Sequence, residues 1–363
     1  MCDAVTIADA QLYRYCLPLT EPLPVGTRTL TERRGLLLCV TDEEGRAGWG
    51  EAAPLPGFSP ETLDEATDEA HELRAALSGL RLPDADLDAV LRAVPTADRL
   101  SSVQFAVESA VVELVAARWE MSGAQVLGGT AGTVALNALI TASDTELDAA
   151  AERVRRAGYR AVKLKVGRAD VDTDVGRVRQ LHAALGTDVG LRLDANRGWT
   201  WEEAVAFAEA VDAVPIEYIE EPLRAPDRLR DLAERTGLPI ALDETTRERS
   251  AEALPAELPV RAVVLKPTLI GGVSETRKWV EWAQRRNADP VISASYESGV
   301  GLRMLVALAA ASSDVPAGVS TYTRLADDVL RPRLSLDGAR VDVAQLDRSS
   351  VERTLLDVLT PRS

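Results

Sequence analysis

Residues Arg160 to Gly167 read Arg-Ala-Val-Lys-Leu-Lys-Val-Gly, and their alternation decides the fold. With a period of two, Val162, Leu164 and Val166 share one face of a strand while Lys163 and Lys165 share the other. Two ammonium groups on one face suit a solvated edge strand as well as a functional interior. The strands that follow decide between these readings. Gly190 to Asn196 ends in Asp194 and Asn196, and later apolar runs end in Glu220 and Glu221, in Asp243 and Glu244, and in Lys266. Charged groups recurring at successive strand ends build one site from many strands, which is the geometry of a parallel barrel.

Outward from this stretch, candidate strands centre near Leu136, Leu164, Leu193, Ile219, Leu242, Leu265, Ile292 and Val319. Their spacing of roughly 23 to 29 residues is one strand plus one helix. An open doubly wound sheet shares that local pattern. No Gly-x-Gly-x-x-Gly follows any strand, however, and the charged ends are spread around the series rather than gathered at one switch point.

The 363 residues exceed the roughly 250 of such a barrel by about 100, enough for a second unit. Residues 3 to 16, Gly35 to Thr41 and Ala47 to Ala52 read as an antiparallel meander, the last two joined by the turn Asp42-Glu43-Glu44-Gly45. Leu17 to Arg34 lacks apolar periodicity and reads as a long loop, either a lid or disordered. Helices are predicted over Glu61 to Leu77, capped by Ser59 with Pro60 in its first turn, over Ala85 to Arg92, and over Ser101 to Trp119, where Ser101 and Gln104 have capping-box spacing. In the tail, Ala339 to Val343 reads as a short strand followed by a terminal helix.

A net charge of -16 without a segregated basic patch excludes nucleic acid as a partner. No apolar run reaches the ~18 residues of a membrane span. Asp3, Asp9 and Arg14 interrupt any signal-peptide pattern. Cys2, Cys16 and Cys39 are odd in number and lack metal spacing, so reduced thiols in a cytoplasmic protein are expected. Oligomeric state has no signal in the sequence.

Asp194, one of Glu220 and Glu221, and Asp243 would repel one another at neighbouring strand ends unless a cation lay between them. Hard carboxylate oxygens suit Mg²⁺, which also takes water and substrate oxygen. Each carboxylate alone could be a helix cap, but three together are a weaker coincidence. Period two places Asp243 with Ala241, opposite Ile240 and Leu242, and does not choose between Glu220 and Glu221. Lys266, on the face of Val264, stands across the barrel from Lys165; neighbouring cations and burial both lower a lysine pKa and make a free amine available. His71 and His182 fall inside helical patterns, and no Gly-x-Ser-x-Gly supplies a hydrolytic nucleophile.

Lys163-Leu-Lys165, Asp194-Ala-Asn196, Glu220-Glu221-Pro222, Asp243-Glu244 and Lys266-Pro267 together resemble the enolase superfamily in its muconate-lactonizing subgroup. The resemblance implies an α/β fold, a modified TIM barrel (β/α)₇β with an α+β capping domain. The expected domains are a capping domain at 1–125, a barrel at 126–330, and a tail at 331–363 returning to the cap. It implies Asp194, Glu220 and Asp243 as Mg²⁺ ligands, Lys165 as the base, and Lys163 and Lys266 completing the site. Glu32-Arg33-Arg34-Gly35, Gly48-Trp49-Gly50-Glu51, Pro54-Leu-Pro56-Gly57-Phe58-Ser59 and Ser293-Ala294-Ser295-Tyr296-Glu297-Ser298-Gly299 are similar to the subgroup's o-succinylbenzoate synthase family. That likeness implies substrate contacts from Asn196, Ser293, Ser295, Gly299 and Arg34, a small-molecule carboxylate substrate, and a syn dehydration in menaquinone biosynthesis. Here Leu17 to Arg34 would close over the substrate.

Three rivals remain open at this stage. An N-acylamino-acid racemase or dipeptide epimerase of the same subgroup would use Lys165 and Lys266 as alternating bases. A metal-free aldolase would use Lys266 as a Schiff-base nucleophile. A non-catalytic binding barrel would use none of the lysines chemically.

Overall fold

The computed structural model describes residues 5–25, 28–130, 132–141, 146–255, 258–336 and 338–360. Two long strands open the chain, β1 (Val5–Val25) and β2 (Arg28–Asp42), followed by β3 (Ala47–Ala52). They form an antiparallel meander in which Leu12 faces Leu38 and Leu38 faces Gly50. The turn Asp42 to Gly45 is closed by the Asp42 carboxylate, which accepts from the amides of Glu44 and Arg46.

The stretch from Leu17 to Arg34 is strand rather than loop over its described residues. β1 and β2 continue past Cys16 as a hairpin arm, with Leu17 opposite Arg33 and Leu23 opposite Leu30, interrupted by a register shift between Pro18 and Leu23. Leu17, Leu19, Leu23 and Val25 keep a period of two on the less exposed face, but Glu21 and the prolines at 18, 22 and 24 obscure it, and past Leu17 no β1 residue of the arm is fully buried.

Helix α1 (Leu63–Leu77) is capped by Thr62, which forms a reciprocal capping box with Glu65; Ser59 and Pro60 precede the helix. After the short β4 (Arg81–Leu82) comes α2 (Leu87–Ala93), capped by Asp86. Helix α3 (Ser101–Trp119) begins after Leu100 with no capping box, because Gln104 turns to Glu108 instead. Its free amides are met by distant carboxylates, Glu69 accepting from Leu100 N and Glu61 from Ser102 N. Gly50 lets β3 cross α3 closely, since a Cβ there would meet the Ala106 carbonyl oxygen at 1.7 Å.

Short α4 (Gly123–Val126) and β5 (Thr133–Ala135) lead into the barrel. Its strands are β6 (Ala138–Ile140), β7 (Ala161–Lys165), β8 (Gly190–Asp194), β9 (Ile216–Glu220), β10 (Ile240–Leu242), β11 (Ala262–Leu265) and β12 (Asp289–Ile292), paired in parallel in that order. Between and after them run α5 (Leu147–Arg156), α6 (Val171–Leu185), α7 (Trp201–Ala210), α8 (Leu229–Thr236), the short α9 (Glu244–Glu248) and α10 (Pro267–Ile270), α11 (Gly272–Gln284) and α12 (Gly299–Ser312). Closure comes at Ala317 and Gly318, which bridge in parallel to Leu136 on one side and Ser293 on the other. The eighth stave is thus only a pair of bridges just before Val319, and a 3₁₀ turn (Ser320–Arg324) follows it in place of an eighth helix.

Side chains facing into the barrel form a small apolar cluster of their own, Tyr218, Ala241, Ala262, Val264 and Val291, apart from the main core. The tail has no terminal α-helix among its described residues. Instead β13 (Leu330–Arg331) pairs with β15 (Ser350–Val351), β14 (Arg340–Asp342) pairs with β5, and β16 (Asp357–Leu359) adds to the edge of the N-terminal sheet against β1.

Candidate active site

Period two carries each inward residue to a functional group one step further toward the carboxyl end of its strand. Arg192 leads to Asp194 on β8, Tyr218 to Glu220 on β9, Ala241 to Asp243 just past β10, and Val264 to Lys266 just past β11. Lys163 and Lys165 reach the same space from β7. Carboxylate oxygens of Asp194, Glu220 and Asp243 lie within 4.8 Å of one another, and all three side chains are buried. Three lysines surround them. Lys163 Nζ is 3.1 Å from Glu220 Oε2 and 3.4 Å from Asp194 Oδ2. Lys165 Nζ donates to Asp194 Oδ2 at 2.5 Å and to Asn196 Oδ1 at 2.7 Å, and Lys266 Nζ donates to both oxygens of Asp243.

These contacts set the charge states. Burial pushes the Asp194 carboxyl up, but Lys163 and Lys165 beside it outweigh burial and hold it well below the usual carboxylate range. For Glu220 burial prevails over Lys163 and, with Asp194 and Asp243 nearby, pushes it up to about 8. Burial opposes the Lys163 ammonium, yet the three carboxylates raise it far above an ordinary lysine.

The structure separates Glu220 from Glu221. Glu220 turns inward to the cluster, whereas Glu221, at φ +39°, is buried as a brace: it accepts from the amides of Asp243 (3.2 Å) and Thr245 (2.8 Å) and from Arg197 Nε (3.2 Å). Asn196 and Arg197 are also in the left-handed region, at φ +44° and +58°. Backbone strain therefore gathers immediately after two of the clustered acids, as is common where a site must be held in one shape.

A cavity of about 350 Å³ lies over the cluster. Lys163, Lys165, Asp194, Asn196, Asp243, Lys266, Ser293 and Ser295 all line it. Two expected contacts are absent from its wall. Arg34 is exposed on β2 and pairs with Glu32 at 2.5 Å, because alternation turns Arg33, not Arg34, inward. Gly299 opens α12 with its amide on Asp328 Oδ1 at 2.8 Å, and its lack of a side chain makes room for the Asp328 carboxylate. The Leu17 to Arg34 segment, expected to close over the substrate, contributes Leu23, Pro24 and Val25 to the roof; Leu55 and Phe58 after β3, Asn137, Arg168 and Tyr296 also line the cavity, and sequence reasoning assigned none of these five a contact. The Phe58 ring lies 5.6 Å from Lys266 Nζ and 4.4 Å from the Arg247 guanidinium. Its sequence signal is its place in Pro54-Leu-Pro56-Gly57-Phe58-Ser59, one of the stretches that carry the family resemblance. His71 and His182 lie on α1 and α6 and line no part of this cavity. Cys16 and Cys39 are free thiols, and Cys2 lies outside the described residues.

The donor set fits a hard divalent cation. Its oxygens are buried and convergent, and Glu220 Oε1 has no hydrogen-bond partner among the described residues, an orphaned acceptor that a cation would satisfy.

A closed parallel barrel whose mouth holds three clustered acids among three lysines defines an enolase-type protein, and residues 146–347 match the family model "Enolase C-terminal domain-like". Residues 7–114 match "MenC, N-terminal domain". The chain is 35% identical to an o-succinylbenzoate synthase of Edwardsiella ictaluri over 89% of its own length and 93% of the relative's. It is 34% identical to one of Escherichia coli over 96% and 99%. Among solved structures it resembles the L-Ala-D/L-Glu epimerase of Bacillus subtilis in a substrate-liganded complex, with a TM-score of 0.82, 26% identity, and coverage of 93% of this chain and 96% of that one. The chain belongs to the o-succinylbenzoate synthase family of the enolase superfamily.

Proposed function

We propose that this chain catalyses the Mg²⁺-dependent syn dehydration of 2-succinyl-6-hydroxy-2,4-cyclohexadiene-1-carboxylate to o-succinylbenzoate, in the cytoplasm, as a carbon–oxygen lyase of menaquinone biosynthesis. The buried acid cluster held between Lys165 on one side and Lys266 on the other supplies the chemistry, and what carries this reading over its rivals is the match of residues 7–114 to the MenC N-terminal domain. It is supported by the relatives' shared activity over nearly the whole chain.

Asp194, Glu220 and Asp243 would hold the cation, which supplies positive charge for the ring carboxylate and raises the acidity of the adjacent carbon. Lys165, oriented by Asp194 and Asn196, takes the proton from that carbon as a free amine. The electron pair left by the C–H bond moves into the carboxylate, where Lys266 faces the growing charge. The C–O bond to the hydroxyl then breaks, the same Lys165 returns its proton to the departing oxygen, and water leaves. Lys165 is neutral again and the ring is aromatic. A single base on one face serves both transfers. The hairpin arm and Phe58 roof the cavity and keep bulk water from the reacting carbon.

A racemase or epimerase reading draws on the same two lysines and on the likeness to the epimerase structure. Purified protein with Mg²⁺ tests the two directly. Dehydration is expected to give kcat/KM of about 10⁴ M⁻¹s⁻¹ or more; an N-acylamino acid or dipeptide exchanging its α-proton while the cyclohexadiene is untouched would replace this conclusion.

A further inference from the structure

Arg33 is among the largest fully buried side chains, 1% exposed, yet it forms no ion pair within the described residues. Its guanidinium donates only to main-chain carbonyls. Nε reaches Tyr296 O at 3.1 Å, Nη1 reaches Pro54 O at 2.9 Å and Arg34 O at 3.2 Å, and Nη2 reaches Ala53 O. Those carbonyls belong to three separate segments: β2 itself, the loop after β3, and the turn after β12. Two of these segments line the cavity themselves, the loop through Leu55 and Phe58 and the turn through Tyr296; β2 lines none of it but pairs with β1, which carries Leu23, Pro24 and Val25.

The geometry of Tyr296 adds to this. It is a non-glycine residue at φ +65°, a conformation that persists only where its surroundings hold it. The Arg33 hydrogen bond to its carbonyl is one such hold. The 53–59 loop is itself tied by local bonds, Phe58 N and Ser59 N to Leu55 O at 3.0 and 2.9 Å, and Leu55 N to Ser59 Oγ at 2.9 Å. Arg33 joins this internally bonded loop, through Ala53 O and Pro54 O, to Tyr296 O after β12.

We propose that Arg33 is a positioning residue that fixes the roof of the cavity, Phe58 above all, over Lys266 by joining the N-terminal sheet, the 53–59 loop and Tyr296 through one planar donor. A planar fork with five donors can span three carbonyl-bearing segments, whereas a lysine offers one compact ammonium. The role rests on the dehydratase reading for its kinetic consequence, but the roof geometry does not.

Two measurements test it. Amide hydrogen exchange of the full chain is expected to quicken about 10-fold or more across residues 54–59 in Arg33→Met, while exchange in the barrel strands bearing Asp194 and Glu220 is unchanged. In the dehydration assay Arg33→Met is expected to lower kcat/KM about 100-fold, chiefly through KM, since misplacing contacts by an ångström costs of that order. Mg²⁺ affinity by calorimetry should stay within about 2-fold, and Arg33→Lys should fall between wild type and Met. In a Phe58→Ala background the same change should cost less than about 5-fold, because positioning is lost once the positioned ring is gone. Equal losses in both backgrounds, a matching loss of Mg²⁺ affinity, or unaltered exchange at 54–59 would each overturn the role. If Arg33→Met does not fold, Arg33→Lys is read by the same criteria. Unchanged loop exchange counts against Arg33 whatever reaction the enzyme performs, so failure of this role and failure of the dehydratase reading remain separable.

Discussion

Lys165 holds two acceptors at once, the acid that faces the cluster and the amide of Asn196, and this fixes its nitrogen at the edge of the cavity. Replacing it by alanine removes the group proposed to take and return the proton. Turnover is expected to fall by roughly 10³-fold or more, in line with general-base losses, while Mg²⁺ still binds; full activity in Lys165→Ala would end the proposed mechanism. Glu220 gives a pH-dependent counterpart. Burial pushes it up to about 8, so below that pH its carboxyl holds a proton that a cation must displace. Apparent Mg²⁺ affinity should therefore rise with pH up to about 8 and level off above it, with proton release visible by calorimetry in buffers of different ionisation enthalpy. An affinity flat from pH 6 to 8 would place the cation elsewhere. Alternation in the sequence was enough to put Lys163 with Lys165 and Asp243 with Ala241, because a strand's period does not depend on its neighbours. It could not separate Glu220 from Glu221, since Glu221 leaves the strand at positive φ and turns to brace the next strand end. Arg34 was misplaced for a related reason: only the pairing of β2 with β1 determines that Arg33 faces inward.

Elements whose identity depends on pairing were harder to read than those with their own period. The hairpin arm's apolar row is thin, Leu17, Leu19, Leu23 and Val25 broken at Glu21 and interleaved with prolines at 18, 22 and 24, so it is told from a loop only when the ladder from Leu17 opposite Arg33 to Val25 opposite Arg28 is laid out. The eighth stave was expected near Val319, and among the described residues its strand bridges fall at Ala317 and Gly318. The arm is fastened to the barrel rim by a backbone bridge between Leu19 and Leu325, by Ala326 N to Pro18 O at 2.8 Å, and by the ion pair of Arg324 with Glu21 at 2.7 Å. Both ions of that pair are largely solvated, so it contributes about 0–1 kcal/mol. Arg324→Ala should accordingly change KM by less than about 5-fold. Ala326→Pro deletes a main-chain donor worth about 0.5–1.5 kcal/mol and should raise KM by up to about 10-fold, with faster proteolysis in the arm. The reverse order of effects would mean that the charge pair, not the ladder, holds the arm over the cavity.

Across the whole molecule, the N-terminal sheet and the barrel meet at a buried pair of acids. Glu51 of β3 accepts from Tyr15 Oη, from Ser298 N and Oγ, and from Gly301 N, so it caps α12 from the other unit. Glu297 lies beside it; Oε2 accepts from Ser295 N at 2.5 Å, and Oε1 has no partner among the described residues. Burial first, and then the Glu51 charge, push Glu297 up to about 7, with Arg33 opposing them. Because this folded value exceeds the unfolded 4.5, the native chain holds a proton that the unfolded chain releases between those pH values. The associated stability is complete below about pH 4.5, declines as pH rises, and is lost above about pH 7. With about 1.4 kcal/mol per unit, the shift corresponds to roughly 3 kcal/mol. Glu297→Gln carries no charge at any pH and keeps the size of the side chain. Urea unfolding of wild type and Glu297→Gln at pH 4.5 and pH 8 isolates the effect, since the net charge of -16 and the metal-site acids contribute to both proteins and largely cancel in the difference. Wild type should lose roughly 3 kcal/mol more than the variant over that interval. Parallel profiles would mean that Glu297 ionises as freely in the fold as in the open chain, and that the junction between sheet and barrel tolerates both charges.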